Sequence, residues 1–310
     1  MRAIRNLKNK DFIYKNSSSF MKAGFLLQKI KEEFPEIEWK TYRHITCGWD
    51  HVIIILDEKI VFRAPKDVRY RNELVNEIQL LHYLKKKVKV GIPEYTYVSK
   101  DKSIAGYNMV MGQELTASRF QRLSASDKES AAQQLAEFIT TLHTTPKYII
   151  KTYHVRTEDK EKLYKELVQD TEKLLFPRLC KKYVQLIEEY FEELKAALDH
   201  NYPKVLVHND LASEHILWDA EKKQINIIDF SDRSFGDGAI DFTGLLEYGP
   251  KFTNRVFELY GGKKDEQMLY RSHLYSKRIP LYIMKDALQG YPCTFEEGYE
   301  ILKKRFKAYY

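Results

Sequence analysis

The run from Val205 to Phe230 constrains this chain more than any other stretch. Val205-Leu-Val207 is a short apolar strand, and His208 to His215 is a polar loop that interrupts it. Ile216, Leu217 and Trp218 resume the strand. Asp219 to Gln224 is a polar turn, and Ile225 to Ile228 is a second apolar strand that ends on Asp229. Two short strands across a polar turn read as a hairpin. Such a hairpin would bring Asp210, in the loop before one strand, near Asp229, at the end of the other. Two carboxylates held together repel unless a proton or a cation lies between them. The pair therefore calls for an acid/base dyad or a divalent metal.

Spacing chooses between these. His208-x-Asp210, then a ligand-type residue five positions on at His215, then an apolar strand ending in Asp229-Phe230, follows the kinase arrangement. There the first Asp accepts the proton of an attacking hydroxyl, and the second holds magnesium on nucleotide phosphates.

The rest of the chain is compatible with that reading. Its 310 residues allow one large or two modest domains, and 44% hydrophobic content supports a core. No run approaches the roughly 20 apolar residues of a membrane span. The basic start is not followed by the apolar segment of a signal peptide. Cys47, Cys180 and Cys293 are far apart and have no metal-site spacing. An intracellular, cytoplasmic, reduced protein is expected. The net charge is +7, but it is unevenly placed: 21 Lys and Arg face 13 Asp and Glu over residues 1–112, and 30 face 31 over 113–310. No basic repeat interleaved with aromatics accompanies the excess, so a solvated basic face is expected rather than a nucleic-acid surface.

Residues 1–20 read as a loose basic leader, with Met21 an alternative start. Phe25, Leu26, Ile30 and Phe34 are spaced for a helix stopped by Pro35. Ile45 to His51 is a turn bearing Gly48, whose backbone amides would cover phosphates. Strands follow at Val52 to Leu56 and Ile60 to Arg63. A cation at the end of a third strand contacts nucleotide phosphates and pairs with an acid on the next helix. Arg63 fills that place, with Glu77 the expected partner and Glu73 the reserve. Arg in place of Lys keeps the charge and adds a bidentate grip. Tyr107 to Met111 would be the hinge, with backbone near Met109 and Met111 meeting a purine edge. Gly112 then divides an N-lobe over 21–112 from a C-lobe over 113–310. The C-lobe is expected to be mostly helical, with a helix over Ser124 to His143 capped by Ser124 or Ser126. A helical region from Glu158 to His200 breaks near Pro177, Ser231 to Asp241 is a glycine-containing loop, and a helical tail follows.

Taken in order, Phe62-Arg-Ala-Pro-Lys66, Leu142-His143, His208 to Ile216, Ile228-Asp-Phe-Ser-Asp232 and Gly236 to Phe242 resemble the aminoglycoside phosphotransferase family. The resemblance covers about residues 22–310. It is closest to aminoglycoside 2''-phosphotransferases, with features of macrolide 2'-phosphotransferases. It implies an α+β, protein-kinase-like bilobal fold, with a small antiparallel sheet in the N-lobe and a larger, mostly helical C-lobe. It further implies that ATP or GTP with Mg2+ donates its γ-phosphate to a small-molecule hydroxyl; a monomer is expected. Asp210 would be catalytic, and Asp229 and His215 would hold the metal. His208 and Asp241 would support the loop. Asp232 and Glu247 would face a cationic substrate, an aminoglycoside first and a macrolide or an unknown metabolic alcohol second. His215 departs from magnesium's preference for oxygen, and Ser231 replaces the glycine common after Asp-Phe. The absence of an Ala-Pro-Glu segment argues against a protein kinase. A nucleotide-binding pseudoenzyme is the alternative of another class.

Overall fold

The computed structural model describes residues 22–46 and 50–306. The basic leader and Gly48 lie outside them.

Helix α1 (Ala23–Glu33) opens the described chain and ends where expected, at Phe34. Strands β1 (Tyr42–Ile45), β2 (His51–Leu56) and β3 (Ile60–Pro65) follow, then α2 (Val68–Lys85), β4 (Tyr95–Val98) and β5 (Ala105–Asn108). The five strands make one antiparallel sheet in the order β1-β2-β3-β5-β4. Its two faces follow from strand alternation. Val52, Ile54, Leu56, Phe62 and Ala64 pack with Leu26, Ile30 and Phe34 beneath α1. Ile53, Ile55 and Val61 turn to the other face, with Ile45 and Tyr107. Arg63 shares that second face because it alternates with Phe62 and Ala64.

Gly112 carries the chain out of this sheet. Its φ of +112° suits glycine, and a Cβ there would meet the Trp218 carbonyl carbon at 2.9 Å. Strand β6 (Gln113–Glu114) follows at once and pairs with β8 (Ile216–Asp219), which pairs with β9 (Gln224–Ile227). The predicted hairpin is therefore β8–β9. Strand β7 (Lys204–Val207) is not its first half. It pairs antiparallel with β10 (Ser234–Asp237) in a separate two-stranded sheet. The expected loop over Ser231 to Asp241 thus contains β10 and a 3-10 turn over Gly238–Phe242. Sequence alternation cannot distinguish one interrupted strand from two strands with different partners.

Helices supply the remaining mass: α3 (Ala117–Arg122), α4 (Ala125–His143), α5 (Lys147–Thr152), α6 (Lys160–Asp170), α7 (Lys181–Asp199), α8 (Pro250–Leu259), α9 (Met268–Leu288) and α10 (Phe295–Arg305). Ser124 caps α4 by accepting the Asp127 N–H. Between α6 and α7 the helix loosens into a π turn and a 3-10 turn around Pro177. Leu135, Phe138, Ile139 and Leu142 on α4 pack with Leu206, Ile216, Ile225 and Phe230, so the strands around the polar loop rest on a helical core. Among the described residues no helix is long and apolar enough to cross a membrane.

Candidate active site

A cleft of about 620 Å³ separates the five-stranded sheet from the loop between β7 and β8. Its roof is the second face of the sheet: Ile45, Ile53, Ile55, Val61 and Tyr107. Leu217 and Ile228 form the floor beneath, so this end is an apolar slot. Met109 lines it, and its N–H is bonded to the Lys59 carbonyl at 2.7 Å. Met111 departs from expectation. Its side chain is 62% exposed and lies outside the cleft lining, and its carbonyl accepts from the Asn226 side chain at 2.8 Å. The residue between them, Val110, lines the slot and makes no backbone hydrogen bond among the described residues.

Arg63 is buried at the inner edge of the slot. One nitrogen donates to Glu77 at 2.7 Å and to the Tyr95 hydroxyl at 2.9 Å. The other donates to Ser231 Oγ at 2.6 Å and faces His51 Nδ1 at 3.2 Å. Burial, seconded by Arg63, holds the His51 imidazole well below its ordinary range, so the ring is neutral and its lone pair can accept. A lysine could not span these four partners, whereas a planar guanidinium can. Glu73, the reserve partner, is engaged elsewhere: Arg233 lies 3.5 Å from its carboxylate and 3.7 Å from that of Glu77. Arg233 has no sequence signal beyond its nearness to Asp229-Phe230. Its guanidinium also donates to the Phe230 carbonyl at 3.1 Å, which ties α2 to that segment.

The polar loop is held from behind by Asp241. Its two carboxylate oxygens accept the backbone N–H groups of His208 at 3.0 Å and Asn209 at 2.9 Å. His143, at the end of α4, stands 3.0 Å from the same carboxylate and 2.8 Å from the Tyr260 hydroxyl. His208 sits 3.1 Å from the Ile228 carbonyl, which links the loop to the strand that carries Asp229. Burial pushes the His208 imidazole down to about 4, so it is neutral and donates that bond. Asn209 and Asp229 both adopt left-handed backbone, with φ of 69° and 63°. Asn and Asp tolerate this region better than other side chains.

These restraints bring Asp210, His215 and Asp229 together. His215 Nδ1 is 2.8 Å from the Asp210 carbonyl and 3.3 Å from its carboxylate. A ring nitrogen against a carbonyl oxygen must carry the proton. Nε2 then points at Asp229, 3.6 Å from its carboxylate, buried and without a hydrogen-bond partner. Burial opposes charge on His215, but Asp210 and Asp229 outweigh it and raise the imidazole above its usual range. Asp210 is 8% exposed, and burial raises its carboxyl to about 6 despite the opposing His215. Asp229 goes the other way. Burial opposes its ionisation, but Arg63, His215 and the Ser231 hydroxyl at 2.6 Å hold it well below the usual range. Its side chain is 40% exposed, toward the cleft. Two acids with opposite shifts suit a base and an anionic ligand.

No cluster of three His, Cys, Asp or Glu suited to a metal occurs among the described residues. Magnesium held on a nucleotide needs only one or two protein carboxylates. Asp229 meets that need, with the orphaned His215 Nε2 beside it. When bound, the ion would neutralise charge on the transferring phosphate.

Beyond Asp210 the cleft turns polar. Asp232 lines it, 3.2 Å from Arg156. Glu247 does not line it; this exposed acid accepts from the Ser213 hydroxyl at 3.0 Å. Other acids line it instead, Glu158, Glu214 and Asp286, with Arg278 and Tyr282, while Asp50 lines the cleft nearer Asp229 and Arg63. They are scattered along the chain with no motif, so sequence offered no signal for them.

The sequence matches the phosphotransferase enzyme family over residues 41–269. A complex of APH(2'')-IIIa with GDP and kanamycin is similar to this chain, with TM-score 0.81 and 27% identity over 90% of this chain and 97% of that one. The gentamicin complex of APH(2'')-IIa has TM-score 0.69 at 22% identity, covering 92% and 94%. Macrolide 2'-phosphotransferase type I has TM-score 0.64 at 18% identity, covering 93% and 99%. The last two matches establish a shared kinase-like fold. The family match takes in the sheet, the polar loop and both aspartates, so this chain belongs to the phosphotransferase enzyme family and is a phosphotransferase.

Proposed function

We propose that the enzyme transfers the γ-phosphate of ATP or GTP to a hydroxyl of an amino-sugar antibiotic, an aminoglycoside before a macrolide. The observation that carries this is the pair of divergent aspartates under an apolar slot. Asp210, raised toward neutrality, accepts the proton of the acceptor hydroxyl as it attacks phosphorus. Asp229, held ionised, binds the magnesium that travels with the nucleotide. The base enters the slot between the sheet and Leu217, and meets the open backbone of Val110. Residues 21–112 would form the nucleotide lobe and 113–310 the catalytic and acceptor lobe.

The ordering of acceptors rests on the acids beyond Asp210 and on the 27% identity to a structure holding kanamycin. Arg63 has a different role in this reading from a bare phosphate clamp. Four protein groups occupy its fork, so it chiefly fixes α2 and Ser231 around the phosphate site.

The test is nucleotide turnover with magnesium, ATP and GTP measured separately, against kanamycin, gentamicin, erythromycin and no acceptor. Turnover that depends on an antibiotic, with phosphorylated product seen by mass spectrometry, supports the proposal. Nucleotide bound without turnover for any acceptor would overturn the antibiotic assignment.

A further inference from the structure

Arg278, on α9, reaches the polar end of the cleft beside Tyr282 and Glu158. Its guanidinium carbon lies 4.5 Å from the centre of the Tyr275 ring, which covers one face. The N–H groups are not similarly covered. Among the described residues no side chain or carbonyl accepts from them, and no carboxylate is close enough to form an ion pair. Arg278 is half-buried, and the three fully buried arginines behave differently. Arg63 closes on Glu77, Arg233 lies between Glu73 and Glu77, and Arg271 is bidentate on Asp237. Arginine does not escape a recessed site by losing its proton. An arginine that has only a ring beneath it and open donors above it lacks a partner.

Glu158 has a matching deficit. Its carboxylate accepts one long bond, 3.4 Å from the Asp237 N–H. Asp286 is recessed at 17% exposed, and its nearest cation is Lys285 at 3.9 Å. This end of the cleft is therefore bipolar, with acids for an amine and one guanidinium for oxygen. An ammonium group placed against Arg278 would meet like charge in a site partly shielded from water.

We propose that Arg278 is a specificity-determining residue of the acceptor subsite. Its open N–H groups bind hydroxyl, ether or carboxylate oxygens of the acceptor, so the part of the acceptor seated there carries no ammonium. Glu158 and Asp286 take an amine from a neighbouring position. The acceptor class is an amino sugar whose charge is confined to one side, joined to an oxygen-rich portion on the other. This rests on the acceptor assignment made above.

The test compares Arg278→Ala, Arg278→Lys and Arg278→Glu with the wild type. Steady-state kinetics use kanamycin and gentamicin, which carry several amines, and erythromycin, which carries one. Calorimetric binding of each acceptor and melting temperature accompany them. Arg278→Ala should raise the acceptor KM at least tenfold and leave the nucleotide KM within twofold. Arg278→Lys should recover part of the loss. Arg278→Glu should shift the kanamycin-to-erythromycin KM ratio at least tenfold toward kanamycin. An unchanged acceptor KM in Arg278→Ala overturns the inference. So does an equal loss for every acceptor that tracks melting temperature and that lysine does not relieve. A wild type that binds acceptors without turnover would overturn the proposed function alone, because calorimetry on the variants still decides Arg278. A wild type that binds none of them overturns both.

Discussion

The two ends of the cleft are built on opposite plans. At the proposed donor end the polar groups close on one another: Arg63 on Glu77, Tyr95 and Ser231, and Ser231 on Asp229. Around them the walls are Ile, Val and Leu. At the proposed acceptor end the polar groups are left facing the cleft, with Arg278 open and Glu158 barely engaged. A nucleotide presents the same phosphates at every turnover, so a fixed, satisfied frame serves it. An acceptor must be distinguished from other alcohols, and half-buried polar groups left open until it arrives are the proposed means of rejecting the wrong one.

The largest effect should come where the two ends meet. Asp210→Asn removes the proposed base, and kcat should fall by roughly 10²–10⁴ while calorimetry shows the nucleotide still bound. Turnover kept in this variant would break the assignment of roles. Asp241→Ala should act on the donor frame rather than on chemistry directly. It strands two backbone N–H groups and His143 in the core, and should cost roughly 3 kcal/mol in a denaturant titration. Next, Arg63→Lys would lose most of a four-partner fork, and the nucleotide KM should rise about tenfold with the acceptor KM little changed.

The pH dependence sharpens the comparison from another side. Asp210 must be ionised to accept a proton, and its carboxyl is raised to about 6. Activity should therefore fall as pH drops through about 6, and kcat/KM measured from pH 5 to 8 should show that limb. A limb near the ordinary carboxylate value would remove the case for Asp210 as a buried base. The smallest effects belong to the acceptor acids. Asp286→Asn should raise the acceptor KM by roughly threefold, because a partly exposed charge contributes about 1 kcal/mol or less. Glu247→Gln, outside the cleft lining, should change neither KM.

The sequence carried the donor end well. His208, Asp210, His215 and Asp229 lie within one short run, and Arg63 and Glu77 on a strand and the helix after it. Local periodicity sets which way such residues point, so alternation in β3 alone turns Arg63 toward the cleft. The same reasoning failed where pairing is not local. Val205 to Trp218 looked like one interrupted strand, but β7 pairs with β10 and β8 with β6 and β9. Met111 was expected at the purine, but Asn226 holds its carbonyl and its side chain faces solvent.

What the sequence determined by itself is the reaction type, because phosphoryl transfer requires particular residues at short, fixed spacings. The acceptor end was decided only by tertiary structure. Glu158, Arg278 and Asp286 come from an inter-helix segment and α9, far apart along the chain, and packing alone gathers them around one cleft. No spacing rule links residues on elements whose distance is set by the core between them. For that reason Glu247 was expected there and Arg278 was not.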